Sequence, residues 1–168
     1  MIFQWSIVAL VIAADQLTKY LVETRMHLWQ SITVVKGFLN LTYVRNTGIG
    51  FSFFANSGRT ADNIVLVVIF SIITGLIIFS FMWKERNWLF NLSMGLLIGG
   101  AISNNVISRL FFGFVIDFIQ LPYWPVFNVA DSCVVAGAVG IGLYFLKRDG
   151  KNAKRHEDRV ESHDERSG

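Results

Sequence analysis

The sequence predicts an all-α membrane protein with four transmembrane helices, a small strand-rich region between the first two helices, and both termini in the cytoplasm. Of the 168 residues, 53% are hydrophobic and only 16% are charged, whereas soluble domains usually carry about 25% charged residues. Residues 147–168 contain seven of the 15 basic residues and six of the 12 acidic residues. We therefore expect one membrane domain, residues 1–148, followed by a polar tail, residues 149–168, that lacks apolar periodicity and is disordered.

Four apolar stretches provide the predicted spans. They cover about residues 2–21, 64–83, 88–108 and 127–146. Each is close to the roughly 20 residues that an α-helix needs to cross the hydrocarbon core of a bilayer. The first begins like a cleavable signal peptide, but no basic residue precedes its apolar part, so we expect it to remain as a helix. In the fourth, Gly137, Gly140 and Gly142 allow close packing against another helix.

Residues 27–58 differ from the spans because their apolar and polar residues alternate. The segment from Phe38 to Val44 has the period of two that is typical of a β-strand, and Asn46-Thr47-Gly48 has the composition of a turn. A small β-sheet is therefore predicted between the first and second helices.

Flanking positive charge predicts the orientation in the membrane. The turn at residues 84–87 has two basic residues in four positions, and the tail opens with Lys147-Arg148, whereas residues 23–62 have only four basic residues. Since positive loops remain in the cytoplasm, the turn and the tail are expected inside and the strand-rich region and residues 109–126 outside. Asp15, Asp117 and Asp131 are then all expected near the outer membrane face.

Two aspartates stand out because they lie at the edges of apolar spans. Asp117 follows the third span and Asp131 begins the fourth, and carboxylates are costly near a bilayer. Two close carboxylates at low dielectric share a proton, so that one activates water while the other protonates a carbonyl or leaving amine. The simpler alternative is that Asp131 only caps a helix that begins at Asn128, while Asp117 is an interfacial charge in a loop.

Other polar residues repeat at helical spacing. Asp15 and Lys19 are four residues apart and can pair on one helix face, either within a site or as an interfacial salt bridge. Asn105, Ser108 and Arg109 are spaced by three and four residues, so they are expected to share one face of the third helix. An arginine at such a position normally has a carboxylate partner, and Asp117 is a candidate.

Metal and nucleic-acid functions find no support in the sequence. His27 is the only histidine before the tail and Cys133 is the only cysteine, so no set of nitrogen and sulfur ligands is available. The basic residues flank the spans without any nucleic-acid-binding motif. We therefore expect no metal, no cofactor and no nucleic-acid partner.

Four blocks of sequence, in order, resemble the lipoprotein signal peptidases of bacteria (signal peptidase II). The blocks are Asp15-Gln16-Leu17-Thr18-Lys19, Leu39 through Asn46-Thr47-Gly48 to Phe53, Asn105 through Arg109 to Phe118, and Phe127-Asn128-Val129-Ala130-Asp131-Ser132. The resemblance implies a four-helix aspartyl endopeptidase of the bacterial cytoplasmic membrane, with a β-cradle and an active site at the extracytoplasmic face. It implies a catalytic dyad of Asp117 and Asp131. The other matching positions, which line or support the site, are Asp15, Lys19, Asn46, Gly48, Asn105, Arg109, Asn128 and Ala130.

The resemblance also implies the partners. The substrate is a prolipoprotein whose lipobox cysteine carries diacylglycerol and is cleaved just before that cysteine. Membrane lipids surround the site, and globomycin-type peptides are expected to inhibit it.

The third helix departs from the family pattern, which usually includes Gly-Asn-x-x-Asp-Arg. Aligned on Arg109, the chain has Asn105 at the asparagine and Ser108 at the usual aspartate position. An inactive or weakened homologue that binds the substrate without efficient cleavage is therefore an alternative. A small ion- or proton-coupled carrier is another, although the sequence lacks the internal repeat that is common in carriers.

Overall fold

The computed structural model describes residues 1–47 and 58–164, with side chains described for residues 1–47, 64 and 66–150. In chain order the elements are α1 (Ile2–Arg25), β1 (Ser31–Val35), β2 (Leu39–Asn46), α2 (Gly58–Met82), α3 (Trp88–Ala101), a π-helical segment (Ile102–Phe112), β3 (Val115–Gln120) and α4 (Val129–Asp164). Among the described residues, the helical stretches Ile2–Arg25, Trp88–Phe112 and Val129–Gly150 are long and apolar enough to cross a membrane. A shorter apolar stretch, Leu66–Met82, belongs to α2.

The helical stretch Trp88–Phe112 has two parts with different geometry. It begins at Asn87, whose side chain accepts a hydrogen bond from the backbone N–H of Phe90 at 2.9 Å. From Ile102 onward the helix is π-helical, with hydrogen bonds from residue i to i+5. It ends at Gly113, where φ is +78° and the N–H bonds to the carbonyl of Arg109. Such a left-handed residue after a helix favours glycine.

The sheet is antiparallel in the order β1-β2-β3. The sequence prediction confined the sheet to residues 27–58, and β3 corrects it because this strand lies between the third and fourth helices. Its residues are mostly β-branched or aromatic, as strands prefer. Asp117 therefore lies on a strand, opposite Val44 of β2, and not in a loop.

Two apolar clusters stabilise opposite parts of the molecule. One surrounds the start of α1 and consists of Val8, Phe90, Met94, Ile98 and Tyr144. The other joins the end of α1 to the sheet and consists of Val22, Tyr43, Ile116 and Phe118. The polar residues of the candidate site lie between these two clusters along α1.

Small residues bring the backbones of α3 and α4 together. A Cβ atom at Gly100 would lie 2.5 Å from the carbonyl oxygen of Ala130, and one at Gly137 would lie 2.7 Å from that of Ser93. Of the three glycines predicted to allow close packing, Gly137 and Gly140 face α3, whereas a Cβ at Gly142 would meet nothing within 4 Å.

The polar tail is helical where it is described. The backbone of α4 continues to Asp164, so the helix includes the described part of the predicted tail. Lys, Arg and Glu are favourable in helices, and extending an existing helix avoids the cost of nucleating a new one.

Candidate active site

Polar side chains from β2, the π-helical segment, β3 and α4 meet at a cavity of about 240 Å³. Among the residues that line it are Asn46, Asn104, Asn105, Arg109, Asp117 and Asp131. The fold thus brings the two aspartates that the sequence singled out to one cavity, together with three asparagines and an arginine.

The first turn of α4 fixes the position of Asp131. The side chain of Asn128 accepts a hydrogen bond from the backbone N–H of Asp131 at 3.0 Å, and the Asp131 carboxylate accepts one from the N–H of Asn128 at 3.1 Å. This reciprocal arrangement is a capping box. It orients Asp131 at the positive end of the helix dipole, which stabilises negative charge.

Asn128 also holds the other carboxylate. Its Nδ2 donates to Oδ1 of Asp117 at 2.7 Å, and Nδ2 of Asn46 donates to Oδ2 of the same carboxylate at 2.9 Å. Both oxygens of Asp117 thus accept from amides, although the sequence predicted Arg109 as its partner. Arg109 instead lines the same cavity.

Asp117 has a perturbed acidity because it is only 4% exposed. Burial raises the pKa of Asp117 from 3.8 to about 6, and the nearby charge of Asp131 acts in the same direction. The hydrogen bonds from Asn46 and Asn128 oppose this rise, because they stabilise the ionised form. With a pKa of about 6, Asp117 can gain or lose a proton near neutral pH.

A buried ion pair lies behind the two aspartates. Nζ of Lys19 is 2.6 Å from Oδ2 of Asp15, and it also donates to Oδ1 of Asn104 at 2.6 Å and to Oγ of Ser108 at 3.1 Å. All three ammonium protons of this buried lysine therefore have an acceptor. The other oxygen of Asp15 accepts from the backbone N–H of Ala130 at 2.9 Å, which ties α1 to the first turn of α4.

Asn104 is the main residue that the sequence prediction missed. Its Nδ2 donates to Oδ1 of Asp131 at 2.8 Å, while its Oδ1 accepts from Lys19. Asn105, which was predicted for the site, lines the cavity but donates its Nδ2 to the carbonyl of Ala101 in its own helix at 3.0 Å. Both asparagines lie in the π-helical segment, whose turn is wider than that of an α-helix, so the faces expected from α-helical spacing do not apply to them.

Comparison with known proteins agrees with the arrangement of the elements. Residues 7–147 match the family model described as signal peptidase (SPase) II. The chain belongs to the signal peptidase II family. It is 39% identical over 143 residues to the lipoprotein signal peptidase of Halothermothrix orenii, covering 85% of this chain and 94% of that one. It is 41% identical over 144 residues to that of Xylella fastidiosa, covering 81% and 83%.

Solved structures show the same fold. A bacterial membrane enzyme determined by the in meso method at 2.3 Å resolution superposes with a TM-score of 0.78 and 30% sequence identity, covering 88% of this chain and 90% of that one. A second such structure, at 1.9 Å resolution, gives a TM-score of 0.75 at 31% identity and covers 86% and 92%. The family is one of peptidases, so the cavity with its two aspartates lies on a peptidase scaffold.

The position at which this chain departs from the signal peptidase II pattern is also part of the polar network. Ser108 is 3% exposed, and its Oγ accepts from Lys19 and from Nε2 of Gln16 at 3.3 Å. Gln16 also donates to Ser103, whose hydroxyl donates to Asp15. Gln16 and Ser103 were not predicted, although Gln16 directly follows Asp15 in a family block. Gly48, another predicted site residue, lies outside the described residues.

Proposed function

We propose that the protein is an aspartyl endopeptidase that removes signal peptides from diacylglyceryl-modified prolipoproteins by cleaving just before the lipidated cysteine. One observation carries the proposal: Asp117 and Asp131 line one cavity, and Asn128 hydrogen-bonds to both residues. Membership of the signal peptidase II family and relatives named lipoprotein signal peptidase support the substrate class.

The proposed reaction uses the two aspartates as general base and general acid. Asp131, at the positive end of the α4 dipole, takes a proton from a water molecule, whose oxygen attacks the scissile carbonyl carbon. Asp117 donates its proton to the carbonyl oxygen, which gives a neutral tetrahedral intermediate. Asp131 then returns its proton to the leaving amine nitrogen as the C–N bond breaks, and Asp117 recovers its proton from the intermediate as the new carboxyl group forms.

The remaining site residues have positioning roles in this proposal. Asn46 and Asn128 orient the Asp117 carboxylate, and Asn104 orients that of Asp131. Asp15 and Lys19 hold the first turn of α4 and Asn104 in place. Rotamers fixed in this way keep both carboxylates directed at one reacting centre, which is the main requirement for acid–base catalysis.

The proposed setting is the bacterial cytoplasmic membrane, with the site at its extracytoplasmic face and both termini inside. The basic turn at residues 84–87 and the basic start of the tail favour this orientation. The signal peptide then lies along the helices within the bilayer, and the diacylglyceryl chains remain in lipid during cleavage. Globomycin-type peptides are expected to bind in the cavity that contains Asp117 and Asp131.

A cleavage assay with a diacylglyceryl lipobox preprotein tests the proposal. Asp117→Asn and Asp131→Asn should each lower the cleavage rate by at least about 100-fold, because each removes a general acid or base. Asp149→Asn, which alters an exposed aspartate beyond the site, is the matched control and should cleave normally. Unchanged cleavage by either dyad variant would exclude the mechanism.

The alternative of a binding-only homologue is motivated by Ser108. It predicts that the unaltered protein captures the lipidated preprotein or globomycin but never releases a signal peptide. The contacts of Lys19 favour an active enzyme, since Asp15, Asn104 and Ser108 together satisfy the buried ammonium without a second carboxylate.

A further inference from the structure

The end of the helix bundle farthest from the sheet gathers basic residues from two distant stretches of sequence. Lys84 and Arg86 lie between α2 and α3, and Lys147 and Arg148 lie in the part of α4 that follows its apolar residues. Nε of Arg148 is 2.7 Å from Oε2 of Glu85, so the two stretches are joined directly. We call Lys84, Arg86, Lys147 and Arg148 the basic end.

Aromatic side chains add further contacts to this junction. The guanidinium of Arg148 lies over the ring of Trp83, 4.7 Å from its centroid. Nε1 of Trp83 donates to the hydroxyl of Tyr144 at 3.0 Å, and that hydroxyl donates to the carbonyl oxygen of Glu85. The turn is therefore held against α4 by a cation–π contact and two hydrogen bonds as well as the ion pair.

The charge at this end is positive and incompletely neutralised. Glu85 is paired with Arg148, and Lys84 and Lys147 are exposed. Nη1 of Arg86 is buried without a hydrogen-bond partner among the described residues. Buried donors without partners are costly and are usually satisfied by water or an ion. The N-terminus of α3, which begins at Trp88, adds the positive end of a helix dipole.

Exposed apolar side chains border the same end. Met82 is 73% exposed, Trp88 68% and Leu146 72%. Cationic groups next to apolar side chains at the end of a membrane helix match an amphiphile with an anionic head group. A free anion would use only the cationic part of this surface.

We propose that the basic end binds a phospholipid with a negatively charged head group. Lys84, Arg86 and Lys147 hold its phosphate, and its acyl chains lie along Met82, Trp88 and Leu146. The bound lipid joins the α2–α3 turn to α4 and so stabilises the bundle at the end opposite the candidate active site. This proposal does not depend on peptidase activity.

The test uses the full chain in a neutral detergent, with phosphatidylglycerol and phosphatidylcholine of identical acyl chains as probes. Phosphatidylglycerol should raise the Tm by about 4 °C or more, because ligands that bind only the folded state stabilise it. Phosphatidylcholine should raise it by less than half as much. The variant Lys84→Gln/Lys147→Gln should lose most of the additional rise caused by phosphatidylglycerol.

The matched control is Arg25→Gln/Lys36→Gln, which removes the same charge from exposed positions outside the basic end and should keep the full rise. An equal rise with both lipids, or a full rise in the Lys84/Lys147 variant, would overturn the proposal. Inorganic phosphate that alone reproduced the rise would also overturn it, since the site would then bind a free anion.

Discussion

Asn104 and Asn105 are adjacent residues of the same type, but their side chains make different contacts. Asn104 donates to the Asp131 carboxylate at 2.8 Å and accepts from the Lys19 ammonium at 2.6 Å. Asn105 donates to the carbonyl of Ala101. Asn104→Ala therefore removes two charge-assisted hydrogen bonds, whereas Asn105→Ala removes one neutral bond within a helix. The two variants delete the same atoms and serve as controls for each other.

The expected magnitude for Asn104→Ala follows from the bond to Asp131. A hydrogen bond to a charged group contributes about 1.5–3 kcal/mol, so its loss from the transition state should lower kcat/KM by about 10- to 150-fold. The lost contact with Lys19 leaves a buried ammonium proton without its acceptor and should lower the thermal stability as well. For Asn105→Ala we expect kcat/KM within about fivefold of the unaltered protein, since a neutral bond contributes about 1 kcal/mol.

Cleavage of a diacylglyceryl lipobox preprotein in detergent, followed by gel shift over a range of substrate concentrations, measures both variants. Thermal unfolding of the same samples separates a loss of structure from a loss of rate. Equal losses of kcat/KM in the two variants, or a larger loss for Asn105→Ala, would refute the assignment of Asn104 to the site and the effect of the π-helical segment.

Three further predictions follow from the site and its packing. Because burial raises the pKa of Asp117 from 3.8 to about 6, ionising this group opposes folding. The contribution of Asp117 to the free energy of unfolding should fall by about 3 kcal/mol as the pH rises from 4 to above 6. Asp117→Asn should remove this fall from a plot of Tm against pH. If the plots of the variant and of the unaltered protein ran parallel, the prediction would be wrong. Ser108→Ala should cost about 1 kcal/mol of stability and keep cleavage within about fivefold, since Lys19 retains two acceptors; a 100-fold loss of cleavage would show that Ser108 is essential. Gly137→Ala should lower stability by about 1–3 kcal/mol, because its Cβ would lie 2.7 Å from a carbonyl of α3, whereas Gly142→Ala, with open space around it, should not lower the Tm.

The helices could be predicted, and Asp117 and Asp131 chosen as candidate site residues, from the sequence because their signals are local. Apolar runs of about 20 residues identify spans without any tertiary information, and a carboxylate beside such a run is conspicuous for its cost. The cap of α4 was predictable for the same reason, since Asn128 and Asp131 are three residues apart and bond to each other. Even the pairing of Asp15 with Lys19 needed only the period of an α-helix.

The contacts between elements required the tertiary structure. β3 pairs with β2 across about 70 residues of sequence, and no local pattern indicates that partner. The bond from Asn46 to Asp117 depends on that same strand pairing, and the bond from Asn128 depends on where the start of α4 lies. The choice between Asn104 and Asn105 depends on the π-helical segment, whose wider turn changes which side chains face α1 and α4.

The sequence by itself thus determined the broad class of the protein, its apolar helices, its family resemblance and the residue types of its candidate site, because each is encoded in contiguous segments. Only the tertiary structure decided which amides bond to the two carboxylates, that Asn104 and not its neighbour contacts Asp131, and that Ser108 accepts a hydrogen bond from Lys19. The physical reason is that a buried charge selects its partners by distance and direction among all the elements packed around it, and the spacing of residues along a single element does not contain that information.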